Sequence, residues 1–171
     1  MAGIDQISRQ SIIFKNMWRK SHSDIAEEII ALWKQLNPDM SENDAAQRLT
    51  QLVYVAKNEN NQVVGIATAF KSHIKQLNNY LYAFRVMIVP AYRIPGLATK
   101  LTVMTRDFLE GIHHEESTDR CIGIITLIEN EGMKLARREA VFPDSGLTYI
   151  GNTANGSHIR VYYFKGALIS S

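Results

Sequence analysis

Apolar positions in the first third of this chain recur at helical spacing, and from about residue 51 the period shortens toward that of strands. "SIIFKNMWRK" (11–20) reads as a first strand. "SDIAEEIIALWKQLNP" then predicts a helix with a stripe of Ile25, Ile29, Leu32 and Leu36. Ser23 or Asp24 is placed to cap it, Glu27 and Glu28 suit its positive end, and "NP" stops it. "SENDAAQRL" opens on a capping-box-like Ser-x-x-Asp and predicts a short second helix. "QLVYVAKNENNQVVGIATAF" is two strands around a polar turn, with Asn58–Asn61 as turn chemistry. "NNYLYAFRVMIVP" is a long, nearly continuous apolar strand, as expected for one covered on both faces.

"PGLATKLTVMTRDFLEGI" predicts a helix with Pro95 near its first turn and a stripe of Leu97, Leu101, Met104 and Phe108. A polar loop, "HHEESTD", leads to a second buried strand, "CIGIITLI", and to a short helix in "NEGMKLARREAV". "LTYIGNTANGSHIRVYYFK" closes the chain as a hairpin. The predicted order is β-α-α-β-β-β-α-β-α-β-β. The two buried strands joined by a helix should be parallel, because such crossovers are right-handed. The expected architecture is a mixed α/β sheet of about six to seven strands with helices on both faces.

Composition narrows the function. With 171 residues, the chain suits one domain, taken as 11–171 behind an N-terminal extension of 1–10. A net charge of +2 leaves no strong electrostatic footprint for nucleic acid. No apolar run reaches the length of a membrane span, and no basic-then-apolar leader opens the chain, so a cytoplasmic protein is expected. The single cysteine, Cys121, lies in an apolar run and reads as a core residue.

Candidate chemistry concentrates in "VMIVPAYRIPGLATKLTVMTRDFLE" (86–110), a strand that enters a helix through "YRIPGLA". The first N–H groups of a helix have no internal partners, and with the helix dipole they form an anion site. Gly96 lets backbone approach a phosphate, Ala98 keeps the next turn small, and Arg93 adds charge or braces the loop. Neither of the commoner phosphate loops, G-x-x-x-x-G-K-[ST] or G-x-G-x-x-G, is present.

The pattern R-x-x-G-x-A after "IVPAY" resembles the Q/R-x-x-G-x-G/A signature of the GNAT superfamily, the acetyl-coenzyme A-dependent N-acetyltransferases. "NEGMKLARREAVF" is similar to that family's N-x-x-A-x-x-L-Y-x-x-x-G-F. Asn130 and Phe142 fall in place, while Met133, Arg137 and Val141 replace alanine, tyrosine and glycine. The resemblance implies a GNAT-like fold with acetyl-coenzyme A in a V between the fourth and fifth strands. It implies that backbone at Met87, Ile88 and Val89 pairs with the pantetheine arm. The N–H groups across Arg93, Ile94, Gly96, Leu97, Ala98 and Thr99, around Pro95, would hold the pyrophosphate. Asn130 would meet the pantetheine end, and Lys100, Arg137 or Arg138 the outer phosphate.

The implied reaction is direct attack of a primary amine on the thioester in a ternary complex, with a strand N–H near Ile88 or Val89 as oxyanion donor. Arg137 stands where the family carries an acidic tyrosine, and arginine does not give up its proton near neutral pH. Tyr162 or Tyr163 is the alternative acid, only one of them facing the cleft. The fourth strand carries Arg85 where many relatives have glutamate, so Glu129 is the carboxylate placed to act as base. His22, His73 and His158 are candidates for the acceptor mouth. His113 and His114 belong to the acidic loop, and no metal is expected. The expected partners are acetyl-coenzyme A, an unidentified amine and, as in many relatives, a second copy of the chain. The alternative is an acyl-coenzyme A sensor of the same fold that does not turn over.

Overall fold

The computed structural model describes residues 11–116 and 118–170; the extension expected over 1–10 lies outside the described residues. The chain runs β1 (Ile13–Asn16), α1 (Ala26–Leu36), α2 (Glu42–Leu49), β2 (Leu52–Lys57), β3 (Val63–Ile74), β4 (Asn79–Ile88), α3 (Leu97–Glu115), β5 (Cys121–Ile128), α4 (Glu131–Ala136), β6 (Thr148–Asn152) and β7 (His158–Tyr163). Element order matches the sequence pattern throughout. Strands hydrogen-bond in the order β1-β2-β3-β4-β5-β7-β6. β4 and β5 are parallel, whereas β1 with β2, β2 with β3, β5 with β7 and β6 with β7 are antiparallel. This is the mixed α/β sheet with flanking helices that the pattern predicts. Within it the chain forms two compact units. One comprises residues up to Ala69 with Val86–Leu101, and the other Phe70–Arg85 with residues from Thr102 onward.

In the first unit, Ile25, Ile29, Trp33 and Met40 pack with Ala45 on Leu52, Val55, Val63 and Ile66. Burying each large apolar side chain stabilises the fold by roughly 1.5–3 kcal/mol. Trp33 takes the buried place expected for Leu36, which is the last residue of α1 and is exposed. The cap of α1 also differs from expectation. Ile25 is the N-cap and supplies no side-chain hydrogen bond, while Ser23 and Asp24 lie in the turn before it. Glu28 in the first turn instead accepts from the Val63 N–H at 2.7 Å, tying α1 to the start of β3. The cap of α2 is as expected, with Ser41 Oγ accepting from the Asp44 N–H at 3.0 Å. β1 is only four residues long, since the chain turns at Trp18 and Arg19. β3 packs tightly on the start of α3: a Cβ at Gly65 would lie 2.9 Å from Leu101 Cδ1 and 3.0 Å from Ile88 Cδ1.

α3 is longer than predicted, and His113 and His114 form its last turn rather than a loop. Its buried line is Leu97, Leu101, Thr105 and Leu109, a strict four-residue spacing, with Met104 and Phe108 at its margin. β4 is less uniformly covered than its composition suggests, for Tyr80 and Arg85 are exposed.

In the second unit the β4–β5 register runs from Tyr80↔Cys121 to Ala83↔Ile125, and β5 gains one residue on the way. Beneath it Asp119 is buried, with Tyr82 Oη and the Cys121 N–H donating to it and Lys71 Nζ 3.5 Å away. A buried carboxylate needs such partners to offset its lost hydration. Burial, then the Asp119 charge, pushes the Cys121 thiol from its ordinary 9.0 up to about 12. Burial and the Asp119 hydrogen bond likewise push the Tyr82 phenol up. Both groups stay protonated in the folded chain while the unfolded chain ionises. Their contribution to stability is therefore complete below about pH 9 and fades as pH rises toward about 12, by roughly 1.4 kcal/mol per unit for each group within its own window. We expect Cys121 to resist aromatic disulfide reagents at pH 8 until urea unfolds the protein. Stability should fall between pH 9 and 11 less steeply in Cys121→Ala than in the parent; equal slopes in urea titrations would contradict the assignment.

Candidate functional site

The turn after β4 belongs wholly to the first unit. The Val89 N–H donates to the Val64 carbonyl at 2.9 Å, so it is spent on β3 and is not the oxyanion donor that the resemblance allowed it to be. Successive strand residues present their N–H groups to opposite edges, which directs the N–H of Ile88 away from β3. The Ile88 carbonyl on that edge accepts from Arg93 Nε at 3.2 Å; Arg93 thus braces the turn and keeps its exposed guanidinium edge outward. Pro90–Tyr92 forms a single 3₁₀ turn. Tyr92 Oη accepts from Asn58 Nδ2 at 3.0 Å, while Asn58 Oδ1 accepts from the N–H groups of Asn60 and Gln62. Asn58 therefore shapes its own hairpin and also buttresses the turn after β4. The sequence signalled only the first role.

Counting donors narrows the proposed anion cradle. The N–H groups of Arg93, Ile94 and Leu97 donate to Pro90, Tyr92 and Ile94 carbonyls within the turn, and Pro95 has none. Gly96 and Thr99 have N–H groups with no partner among the described residues. Gly96 has φ +91°, and a Cβ there would meet nothing within 4 Å. Only glycine enters that backbone region at little cost, and the space above it is open to a ligand. The Lys100 N–H closes the first α-helical bond to the Gly96 carbonyl at 2.9 Å.

In the second unit, β4 and β5 stop pairing at Ala83↔Ile125 although both strands continue. Thr126 Oγ1 instead donates to the Phe84 carbonyl at 3.0 Å, a side chain standing where a backbone donor would be. Past β5, Glu129 is exposed, and Asn130 caps α4, its Oδ1 accepting from the Met133 N–H at 2.9 Å. Its Nδ2 remains as a donor. Arg137 ends α4 with its guanidinium 4.4 Å from the Phe142 ring and Nε 3.5 Å from Glu139.

The two tyrosines sit on opposite faces of β7. Tyr162 pairs with Ile124, and its hydroxyl donates to Glu110 of α3 at 3.1 Å; burial and that carboxylate raise its pKa. Tyr163 pairs with Gly123, about 13 Å down the strand from Leu127. The residues level with the end of β4–β5 pairing are Arg160, Ile159 and His158, opposite Thr126, Leu127 and Ile128. His158 meets Tyr149 edge-on, and His73 meets Tyr80 similarly on β3 and β4. His22 lies in the turn before α1, and His114 Nε2 is 2.8 Å from the Lys165 carbonyl. Among the described residues no group of three His, Cys, Asp or Glu could hold a metal ion, and no helix is long and apolar enough to cross a membrane.

Sequence reasoning passed over Arg160. It is fully buried, donates to the carbonyls of Ala140, Leu147 and Arg137 at 3.3, 3.2 and 3.5 Å, and lies 3.6 Å from the Phe142 ring. Burial lowers its pKa. It locks the segment between α4 and β6. Alternation in "IRVYYF" could have flagged it, since Arg160 shares a face with Tyr162.

No family model matches this sequence, and no curated protein does. Solved structures do. Arabidopsis thaliana NAA60 in complex with acetyl-CoA is 17% identical, with a TM-score of 0.55 over 91% of this chain and 100% of its own. The acetyltransferase of GNAT family from Streptococcus pneumoniae is 9% identical, with a TM-score of 0.59 over 90% and 99%. Mosquito arylalkylamine N-acetyltransferase like 5b is 12% identical, with a TM-score of 0.57 over 88% and 98%. These likenesses lead to one conclusion: this chain has the fold of the GNAT acetyltransferases.

Proposed function

We propose that the protein transfers an acetyl group from acetyl-coenzyme A to a primary amine. The observation that carries this reading is the turn at Gly96. Open space stands above a left-handed glycine, and two unpartnered N–H groups mark the start of a 19-residue helix. Neighbours of the same fold include proteins solved with acetyl-CoA, which supports the choice of anion. In this reading Gly96 and Thr99 donate to the pyrophosphate and Arg93 adds charge. Ile88 supplies the oxyanion N–H.

The amine nitrogen bonds to the thioester carbon, the carbon–sulfur bond breaks, and coenzyme A leaves as a thiolate. The proton lost from nitrogen ends on sulfur through water. The proton that the starting ammonium gave up goes to solvent. Tyr162 is committed to Glu110 and Arg137 to Phe142 and Glu139, so positioning carries more of the rate than a dedicated acid. Those commitments also favour a second reading, a protein that binds acetyl-coenzyme A without turnover.

Calorimetry with acetyl-coenzyme A, followed by thiol release across a panel of amines, tests both. Micromolar binding with amine-dependent thiol release is expected. Binding alone selects the second reading, and no binding at millimolar concentration removes both.

A further inference from the structure

Both helical segments of the second unit lie on one face of its strands. Tyr162 reaches α3 through Glu110, and Arg160 reaches the segment after α4. The opposite face carries Leu81, Ala83, Ile125, Ile159 and Val161, covered at one end by Ile74, Leu77 and Ala167. Arg85 lies two residues beyond Ala83 on β4 and so stands on this same apolar face. It is exposed, its guanidinium lies 5.8 Å from the centre of the Phe70 ring, and it has no carboxylate partner among the described residues. Continuing the Ala83↔Ile125 register brings Arg85 level with Leu127, which is 48% exposed and pairs with Ile159. Phe70, Arg85, Leu127 and Ile159 thus form an apolar strip holding one uncompensated cation. It begins where β4 and β5 part.

Resting on the acetyl-transfer reading, we propose that this strip receives the acceptor and that Arg85 holds its anion: the acceptor is an α-amino acid with an apolar side chain and a free carboxylate. A guanidinium matches a carboxylate with two parallel hydrogen bonds, and apolar surroundings strengthen that pair by excluding water. The Phe70 ring holds the guanidinium in place by its face. The chemistry suits a carboxylate better than a phosphate dianion, which would draw on a second cation. Lys71, the neighbouring lysine on β3, is on the other face with Tyr82 and Asp119. An acceptor with amine and carboxylate on one carbon presents its nitrogen within a few ångströms of Arg85.

The test uses the full chain, acetyl-coenzyme A, and three acceptors: phenylalanine, phenylalaninamide and phenethylamine. Parent, Arg85→Gln and Arg85→Lys are compared by thiol release, with acetyl-coenzyme A affinity measured separately by calorimetry. The parent is expected to favour phenylalanine over its amide by about 100-fold in kcat/KM. Arg85→Gln should lose about 100-fold on phenylalanine, mainly through KM, and change less than about 3-fold on the amide. Arg85→Lys should recover part of the loss, since it restores charge without the bidentate fork. Acetyl-coenzyme A affinity should be equal in all three. A parent that binds acetyl-coenzyme A yet prefers the amide or phenethylamine, or turns over none of the three, overturns the proposal and leaves cofactor binding standing. So does an Arg85→Gln variant that handles phenylalanine like the parent. A parent that does not bind acetyl-coenzyme A removes the acetyl-transfer reading itself.

Discussion

Gly96→Glu should reduce acetyl-coenzyme A affinity by at least about 100-fold, roughly 2.7 kcal/mol. Two effects combine. A carboxylate at this position stands in the open space where the pyrophosphate is proposed to lie and repels it. The side chain also screens the Gly96 and Thr99 N–H groups, and hydrogen bonds to a charged partner are worth about 1.5–3 kcal/mol each. Any L-residue at φ +91° carries backbone strain of about 1–2 kcal/mol. Gly96→Ala carries the same strain without the charge and is the control. Because a Cβ at Gly96 meets nothing within 4 Å, both variants should fold. Calorimetry on the pair separates strain from repulsion. Unchanged affinity in a folded Gly96→Glu protein would remove the turn from the cofactor site.

Gly123→Ala should be the most damaging small substitution in the second unit. A Cβ at Gly123 would overlap the Tyr162 carbonyl oxygen and lie 3.0 Å from the Tyr163 Cα. Both are backbone atoms of the partner strand, so no rotamer change relieves the clash. Gly123 sits where β5 gains a residue against β4, and a Cβ there would point at the backbone of β7. Overpacking a well-filled core costs about 1–3 kcal/mol, and here backbone must move, so a loss of about 3 kcal/mol or more is expected. Gly111→Ala is the matched control. It lies in α3, where an added methyl would meet nothing within 4 Å, and should gain about 0.5–1 kcal/mol from lower unfolded-chain entropy. Urea midpoints read both, and a Gly123→Ala midpoint equal to that of the parent would refute the clash.

The local signals that succeeded share one property: they need only neighbouring residues. Ser41 and Asp44 cap α2 as their spacing predicts, and the β2–β3 turn forms where "NENN" stands. "CIGIITLI" is β5 to the residue. Where prediction and structure differ, a distant partner decided. Glu28, in the first turn of α1 as its position predicts, also accepts from Val63, thirty-five residues away. Trp33 displaces Leu36 from the buried line because the pocket formed by β2 and β3 lies on its side of α1. Tyr162 is drawn from the acid role by Glu110, fifty-two residues earlier.

The succession of strands and helices, the parallel crossover, and the strand–turn–helix unit with glycine at its bend were thus legible in the amino-acid order, since period, capping and turn chemistry act over a few residues. Long-range folding was needed to establish which donors in that turn remain unspent, that Val89 serves Val64, that Asn58 supports Tyr92, and that Arg160 is buried among carbonyls. The same holds for Arg85, which stands without a carboxylate partner among the described residues, on an apolar strip. Each of these is a question of hydrogen-bond accounting between segments far apart in the chain, and a donor's availability depends on what folds against it.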